Sequence, residues 1–406
     1  MRRRACLHIA TGAVITAAAL LIAGQAEAQQ QPIKIGILAP YSGVYAVFGP
    51  KVIEDPIRLY IKEHGGKIAG RPIVLVTADD QSRPDVELEK AKQLVENEKV
   101  DLIVGIVNSA GALAVRDYLD EKQVLTLITV AGARQLTQSR KSASIFRVSF
   151  AAGQTEAAGA LLAQQAGIKT IAAIGADYAG GREILEPLLK NFELLGGKVV
   201  KTLWHPLGTA DFSPYLTELK EVSTRVQAVT PIMFGADSVR FFNEYREFGI
   251  KMPLYAFGDV TEQTTFLDQV GAAAVGTKTY WAYSPYLDNP VNNAFRVAFL
   301  KAYHRLPGEW SVHAYAAMQF FDAAATKLGG DLSNRGAIRQ ALEEIKIDSP
   351  AGPLHFDKDH SLVFNVYLNE IRKGPDGIVA QMPLGPVVRN VGQYQTLEQA
   401  RQNFQK

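Results

Sequence analysis

The sequence is poor in the residues and charge patterns that mark several classes of protein. Its 406 residues include one cysteine, Cys6, so no internal disulfide can form. Neither sign of charge dominates, because 43 Lys and Arg side chains are balanced by 41 Asp and Glu side chains. A nucleic-acid partner would require a basic excess, and none is predicted.

The sequence also lacks the common catalytic motifs. It contains no G-x-S-x-G, G-x-x-x-x-G-K-[ST], H-E-x-x-H or G-x-G-x-x-G pattern. His355 and His360 flank a polar segment that is typical of a hairpin turn, which is favoured over a metal site. Only His205 closely follows a predicted strand. A binding protein without metal or cofactor is therefore predicted, and a secreted α/β hydrolase or amidase is the less favoured alternative.

Only one long apolar run occurs, and it lies near the start of the chain. Three arginines at 2–4 precede an apolar stretch over 9–23, and Ala26-Glu27-Ala28 has the pattern of a cleavage site. This order predicts a signal peptide over residues 1–28, since the apolar run is short for a membrane span of about 20 residues. Cleavage would leave residues 29–406 free of cysteine, with equal numbers of basic and acidic side chains.

Short apolar runs alternate with amphipathic helical patterns along the rest of the chain. The runs lie at 33–38, 73–77, 102–107, 124–130, 170–174, 199–203, 226–234 and 254–257. Such alternation with short connections predicts an α/β fold of doubly wound parallel sheets. It extends through two blocks, 33–150 and 168–280. The section from Tyr283 onward is expected to complete these two blocks, because no flexible linker separates it.

The first helix of this pattern has a recognisable start. Asp55 followed by Pro56 fits an N-cap and the first helical position. Residues 49–55 are therefore expected to form a turn and not a helix.

Loops that follow the strands hold the candidate binding residues, because open α/β sheets bind ligands at the carboxyl ends of their strands. Small residues expose backbone N–H groups there, and aromatic residues can form apolar walls. The candidates are Tyr45, Phe48, Ser109, Ala131, Ala133, Tyr178, Ala236, Asp259 and Trp310.

Several of these residues have a second, purely structural interpretation. Ser109 is expected to be an N-cap, and capping alone would explain it as well as a ligand contact. Asp259 could likewise cap the next helix. Tyr45 and Phe48 could pack on the surface of their loop, and Trp310 could face either the core or a cleft.

A set of short segments occurs in a fixed order along about residues 33–370. These segments are Ile35-Gly36-Ile37, Tyr41-Ser42-Gly43, Phe48-Gly49, the run from Gly65 to Gly70, Ala78 to Ser82, Val104-Gly105, Phe146-Arg147, Asp177-Tyr178, Asp211-Phe212 and Tyr315-Ala316-Ala317. In this ordered set the sequence resembles the extracytoplasmic solute-binding proteins of ABC transporters, specifically the leucine/isoleucine/valine-binding group.

The resemblance implies a type I periplasmic binding protein, with two lobes joined by three crossovers around a ligand cleft. It assigns residues 29–149 and 283–360 to one lobe, and 150–282 and 361–406 to the other. In that family the loops that correspond to Ser109 and to Ala131–Ala133 hold a ligand carboxylate. Positions equivalent to Phe48 and Tyr178 supply aromatic contacts, and the position of Asp259 supplies an acid for an amino group.

The sequence departs from the amino-acid binders of this family at four places. Ala133 stands where a threonine is common, Phe48 where Tyr or Trp is common, and Asp259 where Glu is common. Ser82 and Asn108 occupy the positions of a cysteine pair. The first three changes weaken the case for an α-amino acid and leave open a carboxylate with an apolar or aromatic body.

The resulting expectation is a monomeric periplasmic receptor that captures a small carboxylate and delivers it to an ABC permease in the inner membrane. A branched-chain amino acid and an aromatic or other organic acid both remain open as ligands. A sensing subunit with the same fold is a further alternative.

Overall fold

The computed structural model describes residues 31–258 and 262–405. The predicted signal peptide lies outside these described residues. Within them the chain forms two β-sheets with helices between the strands, the first mainly parallel and the second mixed, which confirms the predicted α/β class. No helix of these two ranges is both long and apolar enough to cross a membrane.

The strands of the two described ranges are numbered in chain order. They are β1 (Ile33–Ala39), β2 (Lys67–Ile68), β3 (Arg71–Asp79), β4 (Leu102–Gly105), β5 (Leu125–Ile128), β6 (Ile145–Arg147), β7 (Thr170–Ala176), β8 (Lys198–His205), β9 (Ala228–Met233), β10 (Tyr255–Gly258), β11 (Lys278–Trp281), β12 (Lys346–Ser349), β13 (Gly352–Phe356), β14 (Leu362–Lys373), β15 (Val379–Val391) and β16 (Phe404–Gln405).

The α-helices of the same ranges are numbered separately. They are α1 (Asp55–Glu63), α2 (Pro84–Lys92), α3 (Ser109–Glu121), α4 (Glu156–Gln165), α5 (Ala179–Leu194), α6 (Ser213–Glu221), α7 (Ala236–Glu247), α8 (Asp268–Val270), α9 (Pro290–Tyr303), α10 (Glu309–Lys327), α11 (Arg335–Glu344) and α12 (Leu397–Gln402). Shorter π- or 3₁₀-helical segments lie at Phe48–Glu54, Gln93–Asn97, Arg134–Thr137, Gln263–Leu267 and Gly271–Ala274.

The first sheet has the strand order β2-β3-β1-β4-β5-β6. β1 pairs in parallel with β3 on one side and with β4 on the other. All of its side chains except the half-buried Lys34 are buried, which explains its apolar run. The strand order reverses between β1 and β4, and the loops after these two strands flank the position at which α/β sheets bind ligands.

The second sheet has the order β12-β13-β14-β11-β10-β9-β7-β8, and β15 pairs with β14 and β16. β7 pairs in parallel with β8 and β9, so the reversal of this sheet lies between β7 and β9. β14 joins β11 in the antiparallel direction. The loops after β7 and β9 therefore occupy the equivalent position to the loops after β1 and β4.

The section from Tyr283 onward adds to both parts of the molecule. Its long helix α10 packs on α1, where the rings of Tyr60 and Tyr315 are 5.1 Å apart. The Tyr315 hydroxyl donates to the Glu63 carboxylate at 2.8 Å. Its strands join the second sheet. The exact residue bounds of the two lobes stay a prediction.

The expected turn over residues 49–55 is wrong. Phe48–Glu54 forms a π-helical segment that continues into α1, and Asp55 has helical backbone angles (φ −55°, ψ −51°). The Asp55 N–H bonds to the Pro50 carbonyl, five residues earlier. Pro56 has no N–H to donate, and the wider π turn ahead of it lets the helix extend upstream of the proline.

Gln154 ties the connection between β6 and β7 to the ends of β14 and β15. Its side chain is 1% exposed, and its Oε1 accepts from the Ala151 N–H at 2.8 Å. Its Nε2 donates to the carbonyls of Leu362 and Val391, both at 2.8 Å. One buried amide therefore joins three segments at the boundary between the sheets.

Glu87 of α2 is a buried acid. Its side chain is fully buried, and neither carboxylate oxygen has a hydrogen-bond partner among the described residues. Its Oε2 lies 1.6 Å from the position that a Cβ on Gly111 would take, so α2 and α3 approach closely only because residue 111 is glycine. Burial, with a smaller contribution from Asp80, raises the pKa of Glu87 to about 9.

Glu87→Gln should therefore stabilise the protein at alkaline pH. The folded protein retains the Glu87 proton, whereas the unfolded chain releases it above the ordinary pKa of 4.5. The wild-type free energy of unfolding should fall as the pH rises from 4.5 to 9, by at most about 1.4 kcal/mol per pH unit from this group. The variant should exceed wild type at pH 8 and match it near pH 4 in urea titrations.

Glu89→Gln is the matched control, because Glu89 lies on the same helix with its side chain 74% exposed. Its stability should follow the wild-type pH profile. Equal pH profiles for wild type and Glu87→Gln would show that Glu87 is already ionised when buried.

Candidate functional site

The loop after β1 places two aromatic side chains beside the reversal of the first sheet. Tyr45 is 39% exposed and Phe48 is half-buried against the core. Their rings meet edge to face with centroids 6.0 Å apart. Ser82 fixes the loop, because its Oγ accepts from the Tyr45 N–H at 3.0 Å and donates to the Ser42 carbonyl at 3.1 Å. Ser82 therefore holds this loop by hydrogen bonds, and it does so at one of the two positions that correspond to the cysteine pair of the amino-acid binders.

Asn108, and not Ser109, caps α3. The Asn108 Oδ1 accepts from the N–H groups of Ala110 at 2.8 Å and Gly111 at 3.4 Å. The expectation that Ser109 is the N-cap is therefore wrong, since the preceding amide already reaches the second and third N–H groups of the helix. Ser109 is the first helical residue and is half-buried, and its N–H and hydroxyl have no hydrogen-bond partner within residues 31–258 and 262–405.

The loop at residues 131–133 is held by its carbonyl groups. Each carbonyl accepts a hydrogen bond from the segment that starts at the end of β6. The pairs are Ala131 O with Ser149 Oγ at 3.1 Å, Gly132 O with Ala152 N at 2.9 Å and Ala133 O with Arg147 Nη1 at 2.8 Å. The same three peptides carry the N–H groups of Gly132, Ala133 and Arg134, and these have no partner in the described part of the chain.

The 131–133 loop and the start of α3 lie side by side. β4 and β5 pair in parallel, and the Ala131 N–H bonds to the Ile106 carbonyl at 3.1 Å. The three open loop N–H groups, together with the N–H and hydroxyl of Ser109, form what we call the candidate anion site. Consecutive backbone donors beside a helix N-terminus favour a negatively charged group such as a carboxylate.

The second sheet contributes Tyr178 and Ala236 at its own reversal. Tyr178 is 36% exposed, and its ring lies 5.6 Å from the ring of Phe234 in an edge-to-face arrangement. Ala236 is the exposed first residue of α7, after Gly235 with φ 55° and ψ −134°. Asp259 lies outside the described residues, so its predicted contact with an amino group stays a prediction.

Trp310 lies in an aromatic cluster with Phe150 and Trp281. It is 4% exposed, and its ring lies 5.5 Å from Phe150 and 6.0 Å from Trp281. Phe150 covers Gly132, where a Cβ would approach the ring to 2.8 Å. The cluster therefore packs directly against the candidate anion site. Trp310 lies in the buried part of the cluster.

Sequence reasoning missed Phe150, Trp281 and Phe234. Trp281 ends β11, and the other two follow β6 and β9 within a few residues. The rule that ligands bind at the carboxyl ends of strands would have found these three residues if it had been applied to every strand end. β6 and β11 were not recognised as strands, because neither stands out as a long apolar run.

Two buried acids and a histidine lie behind the aromatic cluster. The Glu262 carboxylate accepts from the Trp310 N–H at 3.2 Å. Burial, together with a smaller contribution from the charge of Glu262, raises the pKa of Glu309 well above its usual range. His313 Nε2 is 3.5 Å from Glu309 Oε1, and burial lowers the pKa of His313 to about 3. Burial therefore disfavours the charged form of both Glu309 and His313.

An ion pair links the loop of the first sheet to a helix of the second. Arg134 Nη2 lies 3.6 Å from Glu183 Oε1 of α5, and both side chains are more than one-third exposed. Exposed pairs contribute at most about 1 kcal/mol to stability. The pair nevertheless places the candidate anion site next to the helix that follows Tyr178.

The histidine of the alternative hydrolase hypothesis makes no hydrogen bond to a serine among the described residues. His205 Nδ1 lies 2.9 Å from the Pro206 carbonyl, and its Nε2 has no hydrogen-bond partner among the described residues. The nearby Thr209 hydroxyl donates to the Pro206 carbonyl at 2.6 Å. Within the same residues no group of three His, Cys, Asp or Glu side chains is arranged to hold a metal.

Comparison with known proteins identifies the family. A family model described as "Periplasmic binding protein" matches residues 32–376. Leu/Ile/Val-binding protein homolog 6 of Brucella melitensis is 29% identical over 372 residues, which are 89% of this chain and 93% of the relative.

Two solved structures are similar over almost the whole chain. An ABC transporter substrate-binding protein from Sphaerobacter thermophilus has a TM-score of 0.83 at 31% identity, covering 89% of this chain and 99% of the other. A solute-binding protein from R. palustris in complex with benzoate has a TM-score of 0.77 at 31% identity, covering 87% and 96%. These matches confirm the prediction of a binding protein and not an enzyme. The chain belongs to the periplasmic binding protein family, the substrate-binding proteins of ABC transporters.

Proposed function

We propose that the protein is the periplasmic substrate-binding subunit of an ABC importer and that its ligand is an aromatic monocarboxylate of the benzoate type. The observation that carries this proposal is the candidate anion site directly against an aromatic cluster. Three loop N–H groups and two donors of Ser109 suit a carboxylate. Phe150, which covers Gly132, provides an apolar surface for a ring next to that carboxylate.

The second sheet would complete the site. Tyr178 and Phe234 would cover the opposite side of the ligand, and the Arg134–Glu183 pair would join the two parts around it. Closure of two lobes around a ligand is a hinge motion, and burial of the ring and carboxylate would supply its driving force. Asp259 remains a predicted contact.

An aromatic acid is favoured over a branched-chain amino acid for two reasons. Ala133 has no hydroxyl with which to add a side-chain donor to the carboxylate. Phe150 covers Gly132 of the candidate anion site, and the rings of Tyr45 and Phe48, on the loop after the neighbouring strand β1, would add further apolar surface for a planar ring. The benzoate complex of the R. palustris relative supports the same choice, whereas the Brucella relative's name supports an amino acid.

The partner in this proposal is an ABC permease in the inner membrane, to which the liganded protein would deliver its ligand. The predicted signal peptide and the family both favour a periplasmic location. The monomeric state stays a prediction, which the elution volume of the purified protein would check.

Benzoate should raise the melting temperature of the protein. A receptor that scavenges its ligand needs micromolar or tighter affinity, about −8 kcal/mol. At a ligand concentration 1,000-fold above Kd, binding adds about 4 kcal/mol to the free energy of unfolding, which is a shift of several degrees. Thermal denaturation with benzoate, 4-hydroxybenzoate and leucine provides the measurement. A shift with leucine alone would replace the aromatic acid by an amino acid, and no shift with any of them would refute both ligands.

Ser109→Ala should weaken benzoate binding without unfolding the protein. A hydrogen bond to a charged group contributes about 1.5–3 kcal/mol, so the loss of the hydroxyl should raise Kd roughly ten- to hundredfold in isothermal titration calorimetry. Ser213→Ala is the matched control, because Ser213 is also the first residue of a helix, α6. Its Kd should equal that of wild type. An unchanged Kd in Ser109→Ala would remove Ser109 from the site.

A further inference from the structure

Arg147 is the last residue of β6 and is fully buried. Its Nη1 donates to the Ala133 carbonyl at 2.8 Å, and its Nη2 donates to Ser361 Oγ at 2.7 Å and to Gln393 Oε1 at 3.2 Å. Its Nη2 also contacts the Thr137 hydroxyl. The guanidinium therefore binds the loop of the candidate anion site on one side and the segments around β14 and β15 on the other.

The charge of Arg147 has no direct counter-ion in the described part of the chain. No carboxylate lies within 4.0 Å of its guanidinium, so it forms none of the ion pairs there. The acid that acts on it is Asp357, which is reached through Gln393, whose Nε2 donates to Asp357 Oδ2 at 3.0 Å. Burial lowers the pKa of Arg147 to about 9, so the side chain still carries its proton at neutral pH.

A buried charge without a partner destabilises a protein, because water no longer solvates it. A negatively charged ligand nearby would offset this cost. Arg147 is well placed for that role, since the peptide whose carbonyl it binds is the peptide that carries the open Arg134 N–H. Hydrogen bonds in series polarise one another, so donation to the Ala133 carbonyl strengthens the Arg134 N–H as a donor.

We propose that Arg147 supplies the positive charge that makes the candidate anion site selective for a carboxylate, acting through the peptide between Ala133 and Arg134. Arg147 is then a positioning and specificity-determining residue that does not touch the ligand. This proposal rests on the proposed function, because it requires a carboxylate at the candidate anion site. It extends that function by assigning the charge selectivity to a residue outside the loops after the strands.

The test compares a charged ligand with a neutral one of the same shape. The Kd of benzoate is measured by calorimetry, and that of benzamide by competition against benzoate, for wild type, Arg147→Met and Arg147→Lys. Arg147→Met removes the charge and should raise the Kd of benzoate at least tenfold, while that of benzamide changes less than threefold. Arg147→Lys keeps the charge and should restore the wild-type ratio of the two Kd values to within about threefold.

A merely structural role would weaken both ligands equally and leave the ratio unchanged, which would overturn the proposal. If Arg147→Met does not fold, Arg147→Lys alone provides the test. A folded Arg147→Lys protein keeps a cation at position 147, so loss of its preference for benzoate over benzamide would also refute the proposal. Arg335→Met is the matched control. Arg335 also donates to a backbone carbonyl, that of Asp101 at 2.8 Å, but this contact lies at the opposite end of β4 from the candidate anion site. The ratio of the benzoate and benzamide Kd values in Arg335→Met should therefore equal that of wild type.

The same experiment separates this inference from the proposed function. If wild type binds no benzoate, the aromatic carboxylate itself is wrong. If wild type binds benzoate and Arg147→Met keeps the benzoate-to-benzamide ratio, the ligand stands and only the role of Arg147 is refuted.

Discussion

The need to satisfy the backbone carbonyls of one short loop shapes the whole candidate site. Residues 131–133 have no regular secondary structure, and all three of their carbonyls are bonded by the segment that starts at Arg147. The N–H groups of the same peptides have no partner among the described residues, which is what the proposed carboxylate site requires. Phe150 lies within this segment and covers Gly132, so the apolar wall and the open donors come from one local arrangement.

The electrostatic character of the site follows from the same packing. Arg147 lies fully buried behind the loop, and Glu309 and His313 lie behind the aromatic cluster, where burial raises the pKa of the acid and lowers that of the histidine. A positive charge on one side and apolar rings on the other suit a ligand with a carboxylate at one end and an apolar ring at the other. The effect of the positive charge depends on burial, since water would screen the guanidinium.

Most of the fold could be predicted from the sequence, because the central strands are apolar runs between amphipathic helices. Short connections between such strands predict parallel pairing with right-handed crossovers, but the strand order of the first sheet was learned only from the structure. The segment Phe48–Glu54 could not be predicted, because a proline at position 56 signals a helix start and the π turn that overrides it leaves no sequence pattern. Ser109 was misassigned as a cap because Asn and Ser are both good caps and only the backbone angles distinguish them.

The sequence by itself determined the α/β class, the strand ends that carry most candidate residues, the shortage of cysteine and the family resemblance. These properties depend on periodicity and composition, which are local. Only the tertiary structure decided that Arg147, Phe150 and Trp281 lie behind those loops, that Asn108 caps α3, and which N–H groups remain open. Such facts depend on contacts between residues far apart in the chain, and burial and hydrogen-bond satisfaction are defined only once those contacts exist.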